Sequence, residues 1–371
     1  MAKLGDIATY INGYAFKPQD WSDEGAPIIR IQDLTGNSYQ ANRYNGEYAS
    51  KYEVNDGDVL ISWSASLGVY IWHGEKAVLN QHIFKVVFDK ERISKDFFVH
   101  QVGLILENAA SDAHGATMKH LTKPVFDALP FYLPPYEKQC EIAEVLDKVT
   151  SLISLRKQQL AKLDELVKAR FVEMFGDPVV NSKRWPVETI ENHIDLLTGF
   201  PFDSSGYVSK GVNICGGLII MPQKIDWSAC KHWPQITGYE DYILRPNDIV
   251  IALDRPWISN GFKIAMVDRE HLPALLIQRT ARIRAVDINQ HYLMQSLLLG
   301  RFDKHCNITG SLVPHISPKD IKSYSVMIPP IELQNQFASF VERVDQQKQT
   351  VQQSLEKLEL MKKALMQEYF G

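Results

Sequence analysis

The sequence predicts two similar α/β (α+β) domains, each followed by a long helix, with the two helices pairing antiparallel as a coiled coil about a pseudo-two-fold axis. Three short motifs occur twice at one spacing, since 310 − 115, 330 − 135 and 371 − 176 all equal 195. A repeat of this length is too long for a solenoid unit and suits a domain plus a helix. The repeated positions are Gly115 and Gly310, Pro135 and Pro330, and Gly176 and Gly371.

The first domain is predicted over residues 1–133. Short β-type runs at Ala26–Ile31, Asp58–Ser62 and His82–Phe88 are separated by Gly, Asn and Asp residues, which favour turns. The second domain, predicted over residues 177–328, has the same texture. Both are therefore expected to be mixed domains in which strands dominate.

A long helix follows each domain. Tyr136–Phe175 contains no Gly or Pro, follows a Pro-Pro pair and ends before Gly176. At 1.5 Å per residue, such a helix is about 60 Å long. We assign residues 134–176 and 329–371 to these helices.

Apolar residues in both helices recur in steps of three and four, which predicts a coiled-coil seam. The seam itself allows parallel or antiparallel pairing, and we favour antiparallel helices because a two-fold axis relating the halves requires them. The alternative is that each helix packs only on its own domain. The predicted seam residues are Ile142, Leu146, Val149, Ile153, Leu160, Leu163, Val167, Phe337, Val341, Val344, Val351, Leu355, Leu358 and Leu365.

Composition excludes several classes of protein. The formal net charge is −4, so any nucleic-acid surface must be a local patch on an acidic body. The four cysteines are scattered and build no zinc motif, which indicates reduced thiols. No apolar run approaches the roughly 20 residues needed to cross a bilayer. We expect a cytoplasmic protein without a membrane partner.

No catalytic motif is complete. In Leu133-Pro134-Pro135-Tyr136 the first residue is leucine, which cannot accept hydrogen bonds from a target amine as an amino-methyltransferase requires. Asp320-Ile-Lys322 lacks the remainder of a nuclease motif, and no glycine-rich phosphate or S-adenosylmethionine loop is found. We predict no catalytic residues and no metal site.

Paired loops carry the binding signal. Aromatic, basic and amide residues occur at matching places in the two domains, although their identities differ. Gln can pair with adenine and Arg with guanine, while Lys and His suit phosphate. The first-domain candidates are Tyr14, Phe16, Lys17, Ser62, Trp63, Ser64, Ser66, Gln81, His82, Thr117, Lys119 and His120. The second-domain candidates are Phe200, Phe202, Asp254, Arg255, Trp257, Gln278, Arg279, Ser311 and His315.

Some candidates have a structural alternative. The aromatic residues Tyr14, Phe16, Phe200 and Phe202 could equally be core residues, and Trp63 and Trp257 divide evenly between the two roles. Gln81 and Gln278 lie at predicted strand edges, where ordinary backbone hydrogen bonding would explain them.

The chain resembles the specificity subunits of type I restriction-modification systems. The resemblance lies in the Gly-Asp-Val-Leu-Ile and Asn-Asp-Ile-Val-Ile strands, the Gly-x-x-x-x-His loops, the Leu/Ile-Pro-Pro-x-Glu-x-Gln motifs and the helices ending in Phe-Gly. It implies two target recognition domains that each read half of a bipartite, asymmetric DNA target. One departure is that the Trp185 segment before the second domain has no counterpart before the first.

The resemblance also implies partners. The helices would dock two methyltransferase subunits that modify adenine at N6, and restriction and translocase subunits would join them. S-adenosylmethionine, ATP and Mg²⁺ would then belong to the partners and not to this chain. The alternatives are the recognition subunit of a type II bifunctional restriction-methylation enzyme and, in another class, a coiled-coil scaffold or DNA-mimicking inhibitor.

Overall fold

A computed structural model of the chain describes residues 2–36, 42–64, 66–112, 122–306 and 315–371. Unit 1 comprises Met1–Lys157 with Gln353–Gly371, and unit 2 comprises Gln158–Gln352. Because 353 − 158 is again 195, the boundaries fall at equivalent positions of the repeat. Each long helix is divided at its middle, whereas the sequence-based boundaries assign each helix to a segment of its own.

The secondary structure of the described residues repeats in the two units. The helices are α1 Leu4–Ile7, α2 Ile31–Leu34, α3 Lys95–Asp112, α4 Lys123–Asp127, α5 Tyr136–Phe175, α6 Gln290–Leu299, α7 Phe302–His305, α8 Pro318–Lys322 and α9 Ile331–Phe370. The strands of unit 1 are β1 Ala2–Lys3, β2 Thr9–Asn12, β3 Ala26–Ile29, β4 Arg43–Tyr44, β5 Glu53–Val54, β6 Val59–Ser62, β7 Gly68–Ile71, β8 Ala77–Leu79, β9 Ile83–Val87 and β10 Pro130–Phe131. The strands of unit 2 are β11 Val187–Thr189, β12 Ile194–Thr198, β13 Val212–Cys215, β14 Ile220–Met221, β15 Lys224–Ile225, β16 Lys231–Trp233, β17 Ile249–Ala252, β18 Trp257–Ile258, β19 Gly261–Phe262, β20 Ile264–Met266, β21 Ala274–Leu276, β22 Thr280–Ala285 and β23 Ser325–Met327.

Both units contain the same two sheets. An antiparallel sheet has the order β2-β9-β6-β7 in unit 1 and β12-β22-β17-β20 in unit 2. A mixed sheet has the order β4-β3-β8-β5 in unit 1 and β16-β13-β21 in unit 2. The central pair of the mixed sheet, β3 with β8 or β13 with β21, is parallel in both. The predicted pair of α/β domains is confirmed.

The aspartate of the Gly-Asp-Val and Asn-Asp-Ile motifs closes a turn before a buried strand. Asp58 and Asp248 each accept a hydrogen bond from the backbone N–H three residues earlier, at 2.8 and 2.7 Å. Each also pairs with a cation on the neighbouring strand. Lys85 lies 2.9 Å from Asp58, and Arg284 contacts Asp248 through Nε and Nη2 at 2.7 Å each. The motif therefore joins two strands of the antiparallel sheet.

The glutamine of the Pro-Pro-x-Glu-x-Gln motif is a buried clamp. In unit 1 the Gln139 amide donates to the Pro134 carbonyl and accepts from the Ser94 N–H just before α3, each at 2.9 Å. Gln334 repeats both contacts at 2.8 Å, with its own Pro-Pro carbonyl and the backbone N–H just before α6. Both side chains are only 1% exposed. The clamp fixes the start of each long helix to its domain.

Replacing Gln334 with leucine should lower the free energy of unfolding by about 2–3 kcal/mol, because a buried carbonyl and a buried N–H both lose their partner. Urea unfolding would measure the loss. Gln336→Leu, at an exposed position two residues further along α9, should change stability by less than about 0.5 kcal/mol. Equal midpoints for the two variants would contradict the clamp.

The long helices are antiparallel within each unit. In unit 2, Phe171 of α5 packs on Phe337 of α9 with ring centres 5.5 Å apart, and Asp164 lies 2.5 Å from Lys348. Residues earlier in α5 thus meet residues later in α9. In unit 1 the same rule holds, since Lys157 pairs with Glu359 at 3.0 Å and the start of α5 shares one core with the end of α9.

Every predicted seam residue is buried or half-buried in the structure. Ile142, Leu146, Val149, Leu163, Val167, Phe337, Val341, Val344, Val351 and Leu355 are buried. Ile153, Leu160, Leu358 and Leu365 are half-buried. Packing of each helix on its own domain alone does not account for these contacts, because residues of α5 and α9 share both cores.

Candidate nucleic-acid interface

Backbone hydrogen bonds bring three predicted loops of unit 1 together. The Tyr14 N–H donates to Leu79 O at 2.8 Å, and the Gln81 N–H donates to Tyr14 O at 2.8 Å. The Trp63 N–H donates to His82 O at 3.3 Å. The candidate residues therefore lie at one edge of the two sheets. We call this surface the loop edge of unit 1, comprising residues 12–17, 62–64, 66 and 80–82.

Unit 2 repeats these hydrogen bonds. The Phe200 N–H donates to Leu276 O at 3.0 Å, and the Gln278 N–H donates to Phe200 O at 2.8 Å. The Leu253 N–H donates to Arg279 O at 2.9 Å, and the Ile316 N–H donates to Leu253 O at 2.8 Å. The second bond places His315, the residue before Ile316, at the same edge. The loop edge of unit 2 comprises residues 199–203, 253–257, 278–279 and 315.

Glycine is required where the loops cross the sheets. A Cβ added to Gly13 would lie 2.0 Å from the Asn80 carbonyl oxygen, and one added to Gly199 would lie 2.0 Å from that of Ile277. No side chain fits at that distance, so close approach of the two backbones demands glycine. This explains why Gly precedes the aromatic residue in both copies of the loop.

Each loop edge also holds a non-glycine residue in the left-handed region. His82 has φ +75° and Arg279 has φ +64°, at equivalent places in the turn that joins the two sheets. This backbone conformation costs roughly 1 kcal/mol for such residues, and strain of this kind tends to be retained at functional sites. The turn presents a different polar side chain in each unit, imidazole in one and guanidinium in the other.

Three predicted residues of unit 2 form one charged group. Asp254 Oδ1 lies 2.6 Å from His315 Nδ1, and Asp254 Oδ2 lies 3.3 Å from Arg279 Nε. The Arg279 side chain is 73% exposed, whereas that of Asp254 is 27% exposed. The partly buried Asp254 carboxylate therefore orients the exposed guanidinium of Arg279. A guanidinium held in this way can form a bidentate hydrogen-bonded pair with a base edge or a phosphate.

Two further cations lie beside this group. Lys263 is buried, and its ammonium donates to the Gly217 carbonyl oxygen. Burial lowers the pKa of Lys263, and the nearby Arg255 guanidinium lowers it further. Arg255 itself is exposed. Because Lys263 is buried, the exposed Arg255 is the cation that a phosphate would contact at this part of the loop edge.

The structure corrects three candidates. Ser62 is completely buried, Ser64 is 6% exposed and Phe202 is 4% exposed, so predicting that these side chains contact DNA was wrong. Ser62 ends the central strand β6 and donates to the Ser64 carbonyl oxygen at 3.1 Å. Phe202 is enclosed by aromatic rings, and its ring centre lies 4.7 Å from that of Trp233.

The other described candidates keep at least part of their surface. Lys17, Ser66, Arg255, Gln278 and Arg279 are exposed. A second set is half-buried: Tyr14, Phe16, Trp63, Gln81, His82, Phe200, Asp254, Trp257 and His315. Both tryptophans also pack on phenylalanine, Trp63 on Phe84 at 5.6 Å and Trp257 on Phe262 at 5.2 Å. Thr117, Lys119, His120 and Ser311 lie outside the described residues.

Aromatic clusters beside each loop edge were missed. In unit 1, Tyr44 and Tyr52 pack on the rings of Phe16 and Tyr14 at 5.1 and 5.5 Å, and the Lys51 ammonium lies 4.8 Å from the Tyr52 ring centre. Unit 2 has Trp233, Tyr239 and Tyr242 around Phe200 and Phe202. The concentration of tyrosine between residues 44 and 52 was the available signal.

Over the described ranges, no group of three or more His, Cys, Asp or Glu residues could hold a metal ion. None of the helices in those ranges is both long and apolar enough to span a bilayer.

Comparison with known proteins identifies the family. The model for the type I restriction modification DNA specificity domain matches residues 1–165 and 236–360, which is more than half of the chain. The chain belongs to this family of DNA specificity proteins. A specificity-family relative is the type I restriction enzyme MjaVIII specificity subunit of Methanocaldococcus jannaschii, 25% identical over 99% of this chain and 90% of that protein.

Other members of the specificity family differ in length or sequence. The EcoBI specificity subunit of Escherichia coli is 29% identical over 61% of this chain, which spans only 44% of that relative. The S subunit of a type I system from M. genitalium shares the fold, with a TM-score of 0.60 at 14% identity over 100% of this chain and 95% of that one. A second solved chain, from a study of type I complex assembly and conformational transition, has a TM-score of 0.53 at 16% identity over 100% of this chain and 96% of that chain.

Proposed function

We propose that this chain is the DNA sequence-recognition subunit of a type I restriction-modification complex. Each unit would read one half of a bipartite, asymmetric target through its loop edge. Family membership supports this reading over a scaffold or a DNA-mimicking inhibitor, because the relatives are named as specificity subunits.

One observation carries the proposal. The two loop edges are built by equivalent backbone hydrogen bonds around equivalent glycines, yet they present different side chains. Both turns offer a glutamine, Gln81 or Gln278, and they differ at the next residue, which is His82 in unit 1 and Arg279 in unit 2. Amide, imidazole and guanidinium groups pair with different base edges. A constant frame with variable polar groups is what two readers of different sequences require.

The chemistry would belong to partner subunits. Two methyltransferase subunits would dock on the long helices and add N6-methyl groups to adenine, using S-adenosylmethionine. Restriction and translocase subunits would use ATP and Mg²⁺. In this division of labour the recognition subunit needs no catalytic residues of its own. The complex would act on duplex DNA in the cytoplasm.

Mapping N6-methyladenine across the host genome, with and without this gene, tests the proposal. We expect one gapped, bipartite motif to lose its methylation on deletion. Exchanging residues 177–328 for the corresponding domain of another family member should alter one half of that motif only. An unchanged methylation map after deletion would overturn the proposed function.

Binding of DNA by the isolated chain should be weak and strongly dependent on salt. The net charge of −4 opposes the approach of a polyanion, so attraction to phosphate must come from local cations such as those of the loop edges. Fluorescence anisotropy with a target duplex at about 50 and 200 mM salt should show a steep loss of affinity. Tight binding that resists salt would contradict this expectation.

A further inference from the structure

We propose that a cavity at the start of α9 in unit 2 receives an aromatic side chain and an adjacent arginine from a methyltransferase subunit. The cavity has a volume of about 400 Å³, and its lining includes Trp185, His193, Asp287, Ile328 and Ile331. This inference rests on the proposed function, because it names the contact by which that partner would be held.

The cavity combines apolar walls with acidic groups. Ile328, Ile331 and the Trp185 ring supply apolar surface, and Ile331 is 39% exposed. The Trp185 indole N–H donates to the Phe175 carbonyl oxygen at 2.9 Å, which fixes the ring at the end of α5. A rigid apolar wall of this kind suits a bulky apolar side chain.

Asp287 lines the cavity, and a second carboxylate, Glu188, lies next to it on the other ring nitrogen of His193. His193 is buried, with Nδ1 2.8 Å from Asp287 Oδ1 and Nε2 3.1 Å from Glu188 Oε2. The carboxylate side chains are themselves 58% and 50% exposed. One imidazole can neutralise at most one of them, so the local charge is negative whether or not His193 is protonated. A cation beside the apolar occupant would therefore be favoured.

Unit 1 carries a different pair of side chains at two equivalent positions. The two clamp glutamines define which positions of the units are equivalent. Gln139 binds the N–H of Ser94 and Gln334 binds the N–H of Asn289, so the residues two places before these are equivalent. The first residues of the two long helices are also equivalent, because each glutamine lies three residues further along its helix. By this rule Tyr136 corresponds to Ile331, and Arg92 corresponds to Asp287. The Arg92 guanidinium carbon lies 4.0 Å from the centre of the Tyr136 ring.

The comparison of the units defines the occupant. Where unit 1 has its own aromatic ring covered by a guanidinium, unit 2 has a smaller aliphatic side chain and a carboxylate. An aromatic residue with a neighbouring arginine would supply the apolar volume and the charge that unit 1 provides internally. We assign this pair to the methyltransferase because the cavity lies at the start of α9, one of the helices expected to dock it.

The test is to fill the cavity with the pair from unit 1. Ile331→Tyr combined with Asp287→Arg also removes the contact between Asp287 and the buried His193, so its free energy of unfolding is measured before its binding. We expect it to weaken binding of the cognate methyltransferase subunit by about tenfold or more, measured by calorimetry with the full-length chain. Asp287→Asn with Glu188→Gln, which removes charge without filling the cavity, should also weaken binding and reduce its salt dependence.

A matched control separates this effect from general perturbation. Leu218→Tyr combined with Glu270→Arg makes comparable changes at exposed positions outside the cavity and should bind as the unmodified chain does. Wild-type affinity in both cavity variants would overturn the cavity proposal and leave the proposed function standing. If the unmodified chain failed to bind the methyltransferase, both would be overturned.

Discussion

Replacing Arg279 with alanine should relax recognition at one base pair in one half of the target and leave the other half unchanged. Arg279 is the most exposed member of the charged group in unit 2, and Asp254 orients it through Nε. The tip of the guanidinium fork can then contact the two acceptors that guanine presents in the major groove. Loss of such a bidentate contact reduces discrimination by about 1–3 kcal/mol.

Sequencing of N6-methyladenine in cells that carry the variant measures this change. The motif should become degenerate at a single position, and Asp254→Ala should shift it in the same direction because it removes the orienting carboxylate. Arg255→Ala provides the contrast. Its side chain is exposed beside Lys263, where it would meet phosphate, so binding should weaken across all sequences without degeneracy. If cells that carry Arg279→Ala methylate the same motif as cells with the unmodified chain, Arg279 does not read a base.

The repeat and the long helices could be predicted because their signals are local. A run without Gly or Pro between a Pro-Pro pair and a glycine specifies a helix without any tertiary information. The constant spacing of 195 residues likewise requires only the sequence. The division of the chain into compact units could not be found in this way. It depends on contacts between α5 and α9, which are far apart in sequence.

The burial of individual loop residues could not be predicted from the sequence for a similar reason. Phe200 and Phe202 are two residues apart and chemically identical, yet the first is half-buried and the second is enclosed by Trp233 and Tyr239. Both enclosing residues come from later parts of the domain. The Asp254 and His315 contact, between residues 61 apart, also follows from the fold alone.

Replacing Asp248 with alanine should destabilise unit 2 by about 3 kcal/mol or more. The carboxylate is 2% exposed and holds Arg284, which is itself only 22% exposed, through two hydrogen bonds of 2.7 Å. An arginine guanidinium stays protonated at neutral pH with or without a carboxylate partner, so Arg284 remains charged when Asp248 is removed. A largely buried charge without its partner costs about 3–5 kcal/mol.

Asp58→Ala is the matched control, because the equivalent aspartate in unit 1 is more exposed to solvent. Its carboxylate is 27% exposed, and Lys85 keeps a second acceptor in the Glu53 carbonyl oxygen at 2.7 Å. We expect a loss of only about 1 kcal/mol, as for a partly exposed pair. Hydrogen exchange of the amides in β17 and β22, compared with β6 and β9, measures each unit separately. Equal losses would show that closing the turn is the main role of the aspartate, because both residues make that contact and only Asp248 is itself buried.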